Sequence, residues 1–407
     1  MQEEDHNRVE RQAERASGRL GEVSEFLWTL LGLALLIALQ PVAGYGNSEV
    51  AQEHFQRGTK YLQLNQLDKA ENEFLECLRI APNSPQVYNN LGTIYFTENK
   101  LSEAVSAFTK AYRMQPQNPD FSFNLGLAQY KAGHCPEALP PLKRAVTSKQ
   151  HSTDGHVLIG ACYMESRQWQ RAVEQLEVAR SARPDDAQIL FLLADAYRNS
   201  KEPRKFLDAA VQLIQKHPDS PLTHQMLGEA YDFNEQDHQA EEEFKTAIAA
   251  SPHAPLLHFE LGYLYWRWRH YSEAVAPFMA ELKVNPTCPE CFYCLGDISL
   301  KQGRGDQARD YFQRAVKMDP SYGEAYLGMG KLDLESGRAK EALVSLERAV
   351  QLLPNKPEPH YLLGRALIQS GQAEKGQEEL AKVEKISSAK QRRDAQVLSG
   401  VMEPTQK

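Results

Sequence analysis

Glycine recurs at Gly58, Gly92, Gly126, Gly160, Gly228, Gly262, Gly296, Gly330 and Gly364, in steps of 34 residues, with Ala194 in the one vacant slot. A constant period of this length means one supersecondary unit copied in tandem, because separately evolved domains would not keep a common register. Other residue types keep the same step. Twelve positions after the glycine stands alanine (Ala70, Ala104, Ala138, Ala172, Ala240, Ala274, Ala308, Ala342), and sixteen after it Phe or Leu (Phe74, Phe108, Leu142, Leu176, Phe244, Phe278, Phe312, Leu346, Leu380). Proline follows at Pro82, Pro116, Pro184, Pro218, Pro252, Pro286, Pro320 and Pro354.

The spacings predict two helices per unit. Tyrosine three residues after many of the glycines (Tyr61, Tyr95, Tyr163, Tyr197, Tyr231, Tyr265) continues the helical face of the apolar residue before the glycine, at i, i+4. The glycine lets a second helix approach closely, and the alanine does the same from that helix. Asn65, Asn99, Gly133, Gly303, Gly337 and Gly371 share one turn position, where a left-handed residue ends the first helix cheaply. Proline then stops the second helix.

This pattern resembles the tetratricopeptide repeat (TPR), in which Leu-Gly, Tyr, Ala, Phe and Pro fall at fixed offsets. The resemblance covers residues 51–390 as ten repeats: 51–84, 85–118, 119–152, 153–186, 187–220, 221–254, 255–288, 289–322, 323–356 and 357–390. It implies an all-α fold, a right-handed superhelix of helix-turn-helix units, each burying its apolar face against the next. Positions within a repeat are numbered here from its first residue, so the glycine is position 8. In the fifth repeat Phe206 takes the alanine slot and Ala210 the phenylalanine slot, an exchange that conserves volume. Pro140 and Pro141 in the third repeat predict a kink or a late start of its second helix. Residues 388–407 are expected to form a capping helix and tail.

The first 50 residues differ in kind. Residues 1–25 are a polar leader and residues 26–45 an apolar segment, of which 26–39 read FLWTLLGLALLIAL; 46–50 is a linker. About 20 residues at 1.5 Å each cross a hydrocarbon layer ~30 Å thick. Arg11, Arg15 and Arg19 precede this run, and the first basic residue after it is Arg57, so the positive-inside bias leaves the repeats on the outer, periplasmic-type side. The alternative is an export signal cleaved near Gly44, with the repeats secreted.

Ten repeats leave no space for a separate catalytic domain. No P-loop, G-x-S-x-G elbow or H-E-x-x-H is present, and no catalytic, cofactor-binding or metal-binding residue is assigned. The net charge of -8 has the wrong sign for a protein that neutralises phosphates, so nucleic acid is not an expected partner. Cys288, Cys291 and Cys294, in CPECFYC, admit three readings: structural cysteines, a Cys288 to Cys291 disulfide in an oxidising compartment, or part of a redox or metal site.

In TPR proteins the inner surface carries first-helix positions 2, 5, 6, 9, 12 and 13. The resemblance therefore implies a partner-binding groove containing Phe55, Asn89, Phe123, Phe191, Phe259 and Tyr293 at position 5 and Asn90 and Asn124 at position 6. Phe55 and Thr59 stand where the chaperone-tail clamp of some family members requires other residues, so that activity is not implied. An aromatic row could supply anchors for a peptide, or pack between helices; Trp266 and Trp268 could be an exposed hot spot or core. The expected function is a membrane-anchored, non-catalytic scaffold or adaptor binding a protein or peptide. The alternatives are a redox or metal protein built on the three cysteines, or a regulatory subunit of an envelope assembly complex.

Overall fold

A computed structural model describes residues 49–398, and its helices pair in the predicted order, two to each repeat. The chain divides into two compact units, the first ending at Lys216 and the second beginning at His217. The first unit contains α1 (Glu49–Gln63), α2 (Leu67–Ile80), α3 (Pro85–Thr97), α4 (Leu101–Met114), α5 (Pro119–Lys131), α6 (Cys135–Ala145), α7 (Ser152–Glu165), α8 (Trp169–Ala182), α9 (Ala187–Asn199) and α10 (Pro203–Lys216). The second contains α11 (Pro221–Phe233), α12 (Asp237–Ala250), α13 (Leu257–Arg267), α14 (Tyr271–Val284), α15 (Pro289–Lys301), α16 (Gly305–Met318), α17 (Gly323–Glu335), α18 (Ala339–Leu352), α19 (Pro357–Gln369) and α20 (Ala373–Leu398). Each unit is thus an α-solenoid of five two-helix repeats.

Within a repeat the two helices interlock at position 8. A methyl group added to Gly92 would lie 2.6 Å from Phe108 Cδ1, well inside van der Waals contact, so this approach requires glycine. The swapped repeat follows the same rule with the sizes reversed: Ala194, Ala210 and Phe206 are all fully buried.

All ten turns between the paired helices place one residue in the left-handed region. Six are the Asn and Gly residues named above; the others are Arg167 (φ 56), Lys201 (φ 61), Glu235 (φ 58) and Arg269 (φ 62). The following N–H reaches back five residues, as from Gln168 to Tyr163 O (2.8 Å) and from His270 to Tyr265 O (2.9 Å). That bond closes the helix end and offsets the ~1 kcal/mol cost of a side chain in this conformation.

One local expectation, the late start in repeat three, is corrected. The second helix of repeat three starts in register at Cys135 despite Pro140 and Pro141, and ends early instead, at Ala145. Pro140 and Pro141 remove only the bonds to the carbonyls of residues 136 and 137, in the first turns, and the register of the start survives that loss. At the C-terminal end α20 runs 26 residues without interruption from the second helix of repeat ten, so the described part of the expected cap continues that helix. No helix among the described residues is long and apolar enough to cross a membrane. The apolar segment 26–45 lies outside the described residues.

Candidate functional site

The position-5 residues face inward. Phe55 packs on Phe74 with ring centroids 5.9 Å apart, Phe259 on Phe278 at 5.8 Å and Tyr293 on Phe312 at 6.0 Å. In each pair the partner is the position-24 ring of the same repeat, so position 5 completes the intra-repeat core one turn before the glycine. Phe123 stacks on His151 at 4.7 Å, and Phe191 is buried. Of these five rings only Tyr293 is partly exposed, and it too meets a neighbouring ring, Tyr322, at 5.8 Å. Packing thus engages Phe55, Phe123, Phe259 and Tyr293 in ring contacts, and Phe191 is buried.

The asparagines are brought together across repeats two and three. Asn124 Nδ2 donates to Asn89 Oδ1 (2.9 Å), and Asn89 Nδ2 to Asn90 Oδ1 (3.4 Å), with all three side chains fully buried. Buried amides bonded to one another tie first helices together.

The two tryptophans separate. Trp266 is 9% exposed and its indole N–H donates to Asp297 Oδ2 (2.9 Å), tying α13 to α15. Trp268 ends α13 and sits half-buried among Tyr265, His238 and His270.

Cys288 and Cys291 form a disulfide across the first turn of α15, with Cα atoms 5.4 Å apart and both residues buried. Cys294 stays reduced and buried. Among the described residues no group of three or more His, Cys, Asp and Glu is placed to hold a metal ion. Burial pushes the Cys77 thiol up to about 11, and it donates to Ala51 O (3.3 Å), as a core cysteine does.

What sequence reasoning passed over is the last first helix. On α19, positions 5, 9 and 12 are Tyr361, Arg365 and Ile368. Tyr361 is 46% and Ile368 41% exposed, and the Arg365 guanidinium lies 5.8 Å from the Tyr361 ring centre. Position 12 is closed at Leu62, Met164, Trp266 and Leu300. Elsewhere in the second unit α13 is touched by the first helix of the next repeat, α15, as α15 is by α17 and α17 by α19. Among the described residues none follows α19. The signal was available: Tyr361 stands in the position-5 register, but a pattern common to all repeats does not mark which copy is last.

These helix pairs, their interlock and their turns define a helical-repeat protein. Family models described as tetratricopeptide repeats match residues 49–84, 92–133, 162–221, 226–289, 293–358 and 333–388. The chain belongs to the tetratricopeptide repeat family, and its repeats make it a protein-interaction scaffold. No curated protein matches the sequence. Similar solved structures include the Cut9-Hcn1 hetero-tetramer of APC/C (15% identity, TM-score 0.49, 86% of this chain and 82% of that one). Another is PilW, described as a type IV pilus biogenesis factor (20% identity, TM-score 0.45, 48% of this chain and 91% of that one). YrrB, described as a TPR protein with an unusual peptide-binding site, is 22% identical with a TM-score of 0.37, over 44% of this chain and 93% of that one.

Proposed function

We propose that the scaffold engages a protein or peptide partner through the inner-face positions of its first helices, and that Tyr361, Arg365 and Ile368 on α19 are its open contact point. The observation that carries this reading is the exposure of an aromatic and an aliphatic side chain at register positions that close over in earlier repeats. An aromatic ring, a guanidinium and an aliphatic side chain on one helical face are the residue types that dominate binding hot spots. Photo-crosslinkers placed at positions 361 and 368 in cells should capture a discrete partner, whereas one at Val344, 74% exposed on the second helix α18, should not. Ile368→Lys should lower capture from position 361 by about tenfold or more. Equal capture from all three positions would remove the reading.

We infer further that residues 26–45 anchor the protein with its repeats on the outer side. The support is the length of the apolar run and the arginines that precede it. Protease added outside intact spheroplasts should digest the repeats; protection of the repeats while a known external domain is cut would place them inside.

A further inference from the structure

Position 4 holds histidine in repeats one, four, six, seven and ten: His54, His156, His224, His258 and His360. Their ring nitrogens differ in what they face. His224 Nδ1 lies 2.5 Å from Glu243 Oε2 on α12, and its Nε2 lies 2.8 Å from the Pro218 carbonyl, in the connection that leads into α11. His360 repeats the arrangement, with Nδ1 2.6 Å from Glu379 Oε2 on α20 and Nε2 3.1 Å from the Pro354 carbonyl after α18. Glu379 also takes a bond from Lys382 (2.6 Å), and Lys356, in the same connection as Pro354, is engaged by Glu324 (2.8 Å).

A carbonyl oxygen has no proton to give, and an ionised carboxylate has none either. A ring that faces an ionised carboxylate on one side and a carbonyl on the other satisfies both only by donating from both nitrogens, as an imidazolium does. The proton could sit on the carboxyl instead, but at Glu379 the balance runs the other way. Burial there pushes the carboxyl up, and the hydrogen bonds from Lys382 and His360 outweigh it, holding it below the ordinary range.

The other position-4 histidines make no such demand. His258 reaches only the Pro252 carbonyl (3.0 Å), because Pro277 occupies the position that holds Glu243 and Glu379 in repeats six and ten. His54 Nδ1 faces both a donor, Arg57 (3.0 Å), and an acceptor, Glu73 (2.6 Å). His156 Nδ1 meets the amide of Gln175 (2.9 Å), which can donate or accept.

We propose that His224 and His360 are held as imidazolium ions and act as proton-dependent rivets of the second unit, each joining the end of the preceding connection, its own first helix and the second helix of its repeat. The sign follows from the proton. The second bond of each ring exists only while the ring is charged, so the rivets stabilise the unit in acid and weaken as rising pH strips the folded rings of that proton. This inference stands independently of the partner face, although His360 immediately precedes Tyr361 and fixes the same helix.

Ring-nitrogen NMR of the intact protein tests it directly. At about pH 7.5, where a free imidazole of pKa ~6.5 is mostly neutral, both nitrogens of His224 and His360 should carry the protonated signature while His258 shows a single protonated nitrogen. One bare nitrogen at His224 and His360 would overturn the proposal. As a second readout, the double variant His224→Gln, His360→Gln replaces two separate ring nitrogens by one amide nitrogen whose donors do not titrate. Its Tm deficit should fall by at least half between about pH 5.5 and about pH 8.5, whereas an unchanged deficit would also overturn the proposal. If that variant does not fold, the NMR of the unaltered chain decides.

Discussion

Phe206→Ala is expected to destabilise the first unit by about 3–5 kcal/mol, the usual cost of emptying a buried phenylalanine site. Phe206 is fully buried on α10, in the slot where other repeats carry alanine, and Ala210 one turn later leaves the phenylalanine slot small. Neither can fill the space alone. Adding Ala210→Phe restores volume, but the new ring must meet Ala194 where its counterparts meet glycine, and overpacking of this kind costs about 1–3 kcal/mol. The triple variant with Ala194→Gly as well recreates the interlock of repeat two, where a methyl on Gly92 would sit 2.6 Å from Phe108. It should recover more than half of the loss, and the double variant clearly less, in urea unfolding. Equal stability of the double and triple variants would show that position 8 does not govern this packing.

Glu281→Ala should cost the second unit about 2–4 kcal/mol, because one buried and one part-buried N–H group lose a charged acceptor. The connection 251–256 contains Pro252 and Pro255, and α13 starts late, after Leu256 in the left-handed region (φ 71) with no side-chain cap of its own. Glu281 supplies the cap from α14. Its fully buried carboxylate accepts from the Leu256 N–H (2.9 Å) and the Phe259 N–H (3.3 Å). Glu281→Gln keeps one oxygen acceptor, with a loss of about half as much expected. Amide exchange at Leu256 and Phe259 should accelerate in both variants; unchanged protection there would mean that the carboxylate is not what caps α13.

The helix pairs were legible because they rest on contacts between residues about 16 apart, copied ten times, so that each copy corroborates the others. The turn was legible at Asn65 or Gly303 but not at Arg167, Lys201, Glu235 and Arg269. There the backbone bond closing the helix imposes the left-handed residue on side chains with no preference for it. Cys288 and Cys291 stood at a disulfide-compatible spacing, but the sequence left the structural reading beside it until the backbone placed the two Cα atoms 5.4 Å apart.

The position-5 row shows the limit most clearly. Its period puts Phe55, Phe259, Tyr293 and Tyr361 on one face of their helices, and periodicity carries no information about what lies opposite that face. Three of the rings meet the position-24 ring of their own repeat. Tyr361 has Leu380 at that position and no later first helix beside it among the described residues, and it remains exposed. The histidine rivets were hidden for a related reason, since His360 gains its meaning only when a glutamate 19 residues away and a proline carbonyl of the preceding connection converge on one ring.

Sequence alone therefore determined the repeat, its helices and the glycine on which each pair closes, because these follow from short-range periodicity and van der Waals size. Tertiary structure decided which equivalent residues are core and which are surface, and which histidines meet two oxygen atoms at once. Burial and hydrogen-bond satisfaction depend on the neighbour a residue meets, and the same register meets a different neighbour at each place in the stack.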